Sequence, residues 1–155
     1  GGDALFLGLV LATGALLEIP AMYLAGLLCD RVGNLSVLLI GETGLGAVYW
    51  LYGTVKDLPT YLLVQGIRGI MYSLLIVSGM AASSSLGGKK RGSLYAGLYG
   101  LSSSLGLAAG PYLGGLISEN WGLWAMFLFS SSVSILSAIL IIPFVLRKNE
   151  RLPST

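Results

Sequence analysis

Three ionisable side chains lie inside long apolar stretches of this sequence, where a membrane-spanning helix would hold them away from water. Glu18 falls near the middle of the first stretch, Glu42 within the second and Arg68 within the third. An unpaired charge at the centre of a bilayer costs ~2.5 kcal/mol or more, so each is expected to face protein or a wet cavity and to have a partner. Counting the rise per residue along each helix places Glu18 axially closer to Arg68 than Glu42 is, which predicts an ion pair between Glu18 and Arg68.

The chemistry open to the two carboxyl groups is the uptake and release of protons. Burial in a low dielectric favours the neutral acid, so a carboxyl group inside the membrane can carry a proton past the barrier. Glu18 is the first candidate for such proton coupling, and Glu42 is the second. The alternative for Glu18 and Arg68 is a static pair that only holds two helices in register.

Polar side chains also recur along the third stretch, at steps of four, three and four residues: Tyr61, Gln65, Arg68 and Tyr72. Residues at this spacing share one face of a helix. Such a stripe can line a hydrophilic pathway and bind sugar hydroxyls, or it can join neighbouring helices. The serines of the last stretch are interpreted instead as small packing residues: Ser130, Ser134 and Ser137.

The stretches that must position these groups are long enough to cross a bilayer. A helix rises ~1.5 Å per residue and the hydrocarbon layer is about 30 Å thick, so about 20 apolar residues suffice. Five stretches are near or above this length, and a tail follows them: 4–28, 35–53, 60–82, 92–117 and 122–146, then 147–155.

Composition supports a membrane protein over a water-soluble one. With a mean hydropathy of +0.83, 55% hydrophobic residues and 10% charged residues, a soluble fold of 155 residues would lack polar surface. The stretches also lack the two-residue alternation of barrel strands. The sequence therefore predicts a single all-α domain, a polytopic transmembrane helical bundle of five spans.

The basic residues predict how this bundle is oriented. Seven of the nine lysines and arginines fall on one side of the five spans, while Lys56 falls on the other side and Arg68 inside a span. Since basic residues near span ends stay in the cytoplasm, we expect the amino end outside the cell membrane and the carboxyl tail in the cytoplasm. Aromatic residues cluster at the predicted outer boundary: Trp50, Tyr52, Tyr61, Trp121 and Trp124.

Several classes of function find little support in the composition. The formal net charge of +2 reflects the asymmetry of the loops, so it does not indicate a nucleic-acid partner. The sequence has no histidine and no cluster of metal ligands, and no serine or cysteine has an evident base beside it, which disfavours an enzyme, a metal site or a cofactor. A fixed pore is disfavoured because no repeated charged ring is present.

The turn between the first two stretches has the pattern G-x-x-x-D-R-x-G, formed by Gly26, Asp30, Arg31 and Gly33. Gly33 can adopt the left-handed conformation that ends a helix, and Asn34 can cap the next helix. The charged turn keeps the two helices antiparallel.

Small residues dominate the fourth stretch, which contains the pattern G-x-x-x-G-P-x-x-G-G: Gly106, Gly110, Pro111, Gly114 and Gly115. Glycines four residues apart form a flat ridge where another helix can approach closely. A second ridge of small residues, within 92–108, lies on the opposite face. The pattern therefore predicts a helix clamped between two neighbours.

Both motifs resemble those of the major facilitator superfamily. The turn is similar to the cytoplasmic signature loop of its transporters, although Asn34 and Leu35 stand where that loop continues with basic residues. The Gly-Pro pattern is similar to one in the fifth helix of proton-coupled drug antiporters. The segment Glu18-Ile19-Pro20 and the third stretch look like the carboxyl-terminal half of bacterial sugar efflux transporters and the lactose-permease-like branch.

The resemblance implies helices eight to twelve of a twelve-helix transporter whose amino-terminal half is absent, while helices two to six share the same topology and remain an alternative. It implies a secondary transporter that works by alternating access and exports a sugar or drug-like solute by proton coupling. The Asp30-Arg31 turn would help to close the cytoplasmic face, and the Glu18–Arg68 pair would break and re-form. The alternative is a membrane-embedded assembly subunit that transports nothing.

Overall fold

Residues 4–149 fold into three helices, of which the third is by far the longest. A computed structural model describes the backbone of residues 4–149 and the side chains of 8–147, so most of the predicted tail lies outside the described residues. The helices are α1 (Ala4–Val32), α2 (Asn34–Thr54) and α3 (Leu58–Asn149). The described backbone contains no strand, so the prediction of an all-α fold is confirmed for this part of the chain. By length and composition, three helices can cross a membrane: Gly8–Val32, Asn34–Thr54 and Leu58–Arg147.

Helix α3 is interrupted twice by glycines with a positive φ. Gly88 has a φ of 56° and Gly122 a φ of 85°, values that favour a residue without a Cβ. We call the three resulting segments α3a (58–87), α3b (89–121) and α3c (123–149). The Tyr99 hydroxyl of α3b lies against Gly79 of α3a, although a straight helix would separate these residues by ~30 Å. The chain therefore folds back on itself within α3.

The positions of these segments can be compared with the predicted stretches. Each predicted stretch lies within one helical segment, except that the last begins at the turn residue Gly122. The predicted connections 83–91 and 118–121 are helical apart from Gly88. They are shorter than expected because a single glycine with a positive φ changes the direction of the chain.

The turn between α1 and α2 depends on Gly33, whose φ is 91° and ψ is 146°. Its amide donates to the carbonyl oxygen of Cys29 at 3.0 Å, and its carbonyl accepts from the amide of Val37 at 3.2 Å. The positive φ was expected, but the prediction that Asn34 caps α2 is wrong. Gly33 occupies the cap position, and Asn34 is already the first helical residue.

A side chain caps the start of α3. The amide of Thr60 donates to Asp57 Oδ1 at 3.0 Å, which satisfies one of the free amides of the first turn. Hydrogen bonds from the side chain and the amide of Thr60 lower the pKa of the Asp57 carboxyl group below its usual value.

Segment α3a lies at the centre of the bundle and meets its neighbours at glycines. A Cβ atom placed on Gly69 would lie 2.8 Å from the carbonyl oxygen of Gly14, so α1 and α3a cross with their backbones in near contact. A Cβ atom on Gly41 of α2 would lie 2.8 Å from the backbone nitrogen of Leu75 in α3a. On another face of α2, the Ser131 hydroxyl of α3c donates to the carbonyl oxygen of Gly46 at 2.7 Å. Small residues thus set the helix spacing, as they do in membrane bundles generally.

We expect Gly41→Ala to destabilise the bundle, because the atoms in its way belong to the backbone of α3a and cannot rotate aside. Overpacking of this kind costs about 1–3 kcal/mol. The matched control is Gly97→Ala on α3b, where a Cβ atom would meet nothing within 4 Å. Size-exclusion chromatography after heating should show a lower melting temperature for Gly41→Ala than for the unmodified protein. The melting temperature of the control should not be lowered. Equal melting temperatures would contradict the close approach of α2 and α3a.

Candidate functional site

The structure brings Glu18 and Arg68 together across the interface between α1 and α3a. Arg68 Nη2 lies 3.0 Å from Glu18 Oε1, within hydrogen-bond distance. The side chains are 25% exposed for Arg68 and 21% exposed for Glu18, so neither is freely solvated. Both charges lie in helices apolar enough to cross a membrane, where the partner of each offsets the loss of hydration of the other.

Residues around this pair fix the position of α1 against α3a. The Ser73 hydroxyl is fully buried and lies within hydrogen-bond distance of two carbonyl oxygens, that of Glu18 at 3.1 Å and that of Gly69 at 2.9 Å. The Arg68 guanidinium also lies over the ring of Tyr72, 5.6 Å from its centroid, which gives it a cation–π contact. Sequence reasoning missed Ser73, although it follows Gly69 by four residues on the same face of the helix.

The second carboxylate, Glu42, lies apart from Arg68 and is bound by hydroxyl groups. Glu42 Oε1 accepts from Ser137 at 2.9 Å, and Oε2 accepts from Ser134 at 3.2 Å. These two serines thus bind a carboxylate of α2, which the interpretation as packing residues did not include, whereas the Ser130 hydroxyl donates to the carbonyl oxygen of Met126 on its own helix. The signal in the sequence was their spacing of three residues, which places both hydroxyls on one face of α3c.

The polar stripe of α3a divides between different neighbours. The hydroxyl of Tyr52 on α2 donates to Gln65 Oε1, and the rings of Tyr52 and Tyr61 have centroids 5.0 Å apart. Gln65 is only 6% exposed, so this end of the stripe joins α2 to α3a. Arg68 binds α1, and Tyr72 lines a cavity. The role of the stripe in a substrate pathway remains a prediction.

That cavity has a volume of about 670 Å³, is open on one side and is lined by residues of α2, α3a, α3b and α3c. Aliphatic side chains form most of its wall, including Leu38, Leu75 and Ile141. Its polar lining comes from all four elements: Glu42, Tyr72, Tyr99, Ser102, Ser103 and Ser137. A volume of roughly 300–1,000 Å³ with a few polar groups in an apolar wall is typical of small-molecule sites.

Comparison with known proteins gives the class of this bundle. The model of the family described as Major Facilitator Superfamily matches residues 1–155. The chain belongs to the Major Facilitator Superfamily.

Relatives in this superfamily include both uncharacterized and multidrug transporters. An uncharacterized MFS-type transporter of Methanocaldococcus jannaschii is 26% identical over 90% of the chain and 36% of the relative. Multidrug resistance protein MdtG of Klebsiella pneumoniae is 25% identical over 92% of the chain and 34% of its own length. Major facilitator superfamily domain-containing protein 10 of Mus musculus is 28% identical over 98% of the chain and 33% of its own length. The chain thus spans about a third of these relatives, and no solved structure matches it.

The glycine motif of α3b, which resembles one found in this superfamily, does not lie between two neighbouring helices as we expected. A Cβ atom on Gly114 would lie 3.5 Å from the Met126 sulfur, but Gly106, Gly110 and Gly115 have nothing within 4 Å. In the described part of the chain the predicted clamp between two neighbours is therefore not formed, because α3b lies at the edge of the bundle and contacts other segments on one side. Gly106, Gly110 and Pro111 line the cavity instead.

The signature-like turn of this superfamily member lies at the surface. Asp30 and Arg31 are exposed, and the described part of the chain provides neither with an ion pair. Gly26 is partly buried and has room for a Cβ atom. The gating role of these residues and Gly33 remains a prediction.

Proposed function

We propose that this chain forms spans eight to twelve of a twelve-helix secondary transporter that works by alternating access and is driven by protons. One observation carries this proposal, namely a set of polar groups contributed by all five helical segments to the interior of a largely apolar bundle. The set comprises Glu18, Glu42, Arg68, Tyr72, Tyr99, Ser134 and Ser137. Ionisable groups inside membrane helices mark solute and proton pathways.

The proposal of five spans is supported by the two breaks in α3. The helices α1 and α2 have 29 and 21 residues, and the breaks at Gly88 and Gly122 leave three further segments longer than α2. About 20 residues cross the hydrocarbon layer, so each segment is long enough for one span.

The proposed orientation is supported by the different residues at the two ends of the bundle, aromatic at one end and basic at the other. At one end, Tyr52, Tyr61 and Trp124 line a cavity of about 390 Å³, as interfacial aromatic residues would. Arg31 lies at the turn between α1 and α2, and Arg147 is near the end of α3c, both at the opposite end of their helices. We infer that this basic end faces the cytoplasm and that the amino end of the chain faces outward across the cell membrane.

The proposed coupling step begins with protonation of Glu18. The neutral acid no longer attracts the Arg68 guanidinium through its charge, so the 3.0 Å contact between α1 and α3a weakens. Deprotonation restores the attraction and re-forms the contact. Because the backbones of α1 and α3a are in near contact at Gly14 and Gly69, a change in the ion pair one turn away acts directly on the spacing of these two helices.

The solute is proposed to be small and exported, and a drug-like compound is favoured over a sugar because a relative is named a multidrug resistance protein. The partners of the chain are then this solute, protons, the lipid bilayer and the other half of the transporter. A non-transporting assembly subunit is the remaining candidate.

The test is flux through proteoliposomes that contain the full-length protein. Imposing a pH gradient should drive saturable movement of ethidium, and a protonophore that collapses the gradient should abolish it. Labelled lactose in parallel vesicles distinguishes a sugar transporter. Absence of saturable flux for both probes would support an assembly subunit and overturn the proposal.

A further inference from the structure

Glu42 faces the large cavity without a basic partner. The cavity wall contains no lysine or arginine, and the ion pair recorded within residues 8–147 joins Glu18 to Arg68. An ionised carboxylate offers about four acceptor positions, and the hydroxyls of Ser134 and Ser137 occupy one on each oxygen. Acceptor positions on the Glu42 carboxyl group are therefore left for a ligand in the cavity.

The rest of the wall is mostly apolar and aromatic, with hydroxyl groups from Ser102, Ser103 and Ser137. The ionisable groups that join Glu42 on this wall are the phenols of Tyr72 from α3a and Tyr99 from α3b, while α3c contributes hydroxyls and aliphatic groups. The positive charge of Arg68 lies outside the cavity lining and is compensated by Glu18. The cavity thus combines one anionic site with aromatic rings and a hydrophobic surface.

We propose that this cavity binds an organic monocation with an apolar body, and that Glu42 is its counter-ion. The apolar wall accommodates the body of the ligand, and the ring of Tyr99 adds cation–π attraction, whereas the ring of Tyr72 already contacts the Arg68 guanidinium. Ser134 and Ser137 position the carboxylate from the side of α3c. The proposal rests on the proposed function, since it names the class of solute that the transporter recognises.

Other classes of ligand fit this wall less well. An organic anion would meet the charge of Glu42 without a cation to offset it. A divalent metal ion needs several oxygen, nitrogen or sulfur ligands. Among the described residues no group of three or more acidic, histidine or cysteine side chains could hold a metal ion. A sugar would leave most of its hydroxyl groups against aliphatic side chains, where unpaired polar groups are costly.

The experiment compares two probes of the same shape and opposite charge with the full-length protein in detergent. Radiolabelled tetraphenylphosphonium, a cation, should bind saturably, and tetraphenylborate, an anion, should not compete with it. Glu42→Gln keeps the size of the side chain and removes the charge, so it should weaken tetraphenylphosphonium binding by about tenfold or more. The matched control is Glu119→Gln, which changes an exposed carboxyl group away from the cavity and should bind like the unmodified protein.

A labelling measurement on the unmodified protein covers the case in which Glu42→Gln fails to fold. Dicyclohexylcarbodiimide, an apolar reagent that modifies carboxyl groups, should label Glu42 less when tetraphenylphosphonium is present and label Glu18 equally with and without it.

Unchanged affinity in Glu42→Gln, equal binding of the anion, or equal protection of both carboxyl groups would overturn the proposal. If cation binding depends on Glu42 but the vesicles show no flux, the site stands and the transport function fails. If flux is present and insensitive to Glu42→Gln, the transport function stands and the site is refuted.

Discussion

Replacing Glu18 by glutamine in the full-length protein is expected to abolish pH-driven transport while leaving expression near that of the unmodified protein. Glutamine has nearly the same shape and retains an oxygen that can accept from Arg68 Nη2, now 3.0 Å from the carboxylate. It cannot take up or release a proton at any relevant pH. If the coupling cycle depends on protonation of Glu18, the pH gradient can no longer drive transport in this variant.

The measurement is ethidium flux in proteoliposomes as a function of the pH on each side. Glu119→Gln is the matched control, because it makes the same chemical change at an exposed position near the end of α3b. We expect flux in Glu18→Gln to become independent of the gradient and to fall at least about tenfold, as when a positioned proton-transfer group is removed. A variant that transports with unchanged pH dependence would show that Glu18 is structural.

Removing only the basic partner is expected to have the largest effect on stability. In Arg68→Gln, the Glu18 carboxylate is left in the membrane-spanning region without a cation, which costs ~2.5 kcal/mol or more unless the acid becomes protonated. The double variant Glu18→Gln/Arg68→Gln removes both charges and should recover most of this loss, because two amides can still bond to each other. Melting temperature and yield after detergent extraction report the difference.

Transport by the double variant separates the two interpretations of the pair. A purely static pair would regain pH-driven transport together with stability, whereas a coupling pair would regain only stability. Arg91→Gln, which neutralises an exposed arginine on the first turn of α3b, is the control for loss of positive charge. If the single variant Arg68→Gln were as stable as this control, the pair would contribute little to the fold.

Local sequence patterns predicted the features that depend on composition and on spacing within one helix. Apolar length predicted helices suited to a membrane, since an unsatisfied backbone is too costly in lipid. The scarcity of charges in these stretches identified Glu18 and Arg68, and axial position along the helices paired them, because the rise per residue is constant. The positive φ of Gly33 also followed from its residue type.

Local sequence patterns did not predict which helices contact one another. The periodicity of a helix shows which residues share a face but not which helix that face contacts, so the partners of Glu42 on α3c were missed. For the same reason the glycines of α3b were expected inside a clamp, while the fold leaves Gly106 and Gly110 on the wall of a cavity.

The sequence by itself determined that this is an all-helical membrane protein with charged groups inside its helices, because the cost of burying polar atoms in lipid acts on each segment separately. Only the tertiary structure decided that serines hold Glu42 and that Glu42 faces a cavity, whereas the Glu18–Arg68 pair is the one that axial position predicts. Glu18 is compensated because α1 crosses α3a at Gly14 and Gly69, where the backbones can approach, and Glu42 is held by serines because α3c packs beside α2. These contacts join residues 50 or more positions apart along the chain, so the spacing within one helix does not specify their geometry.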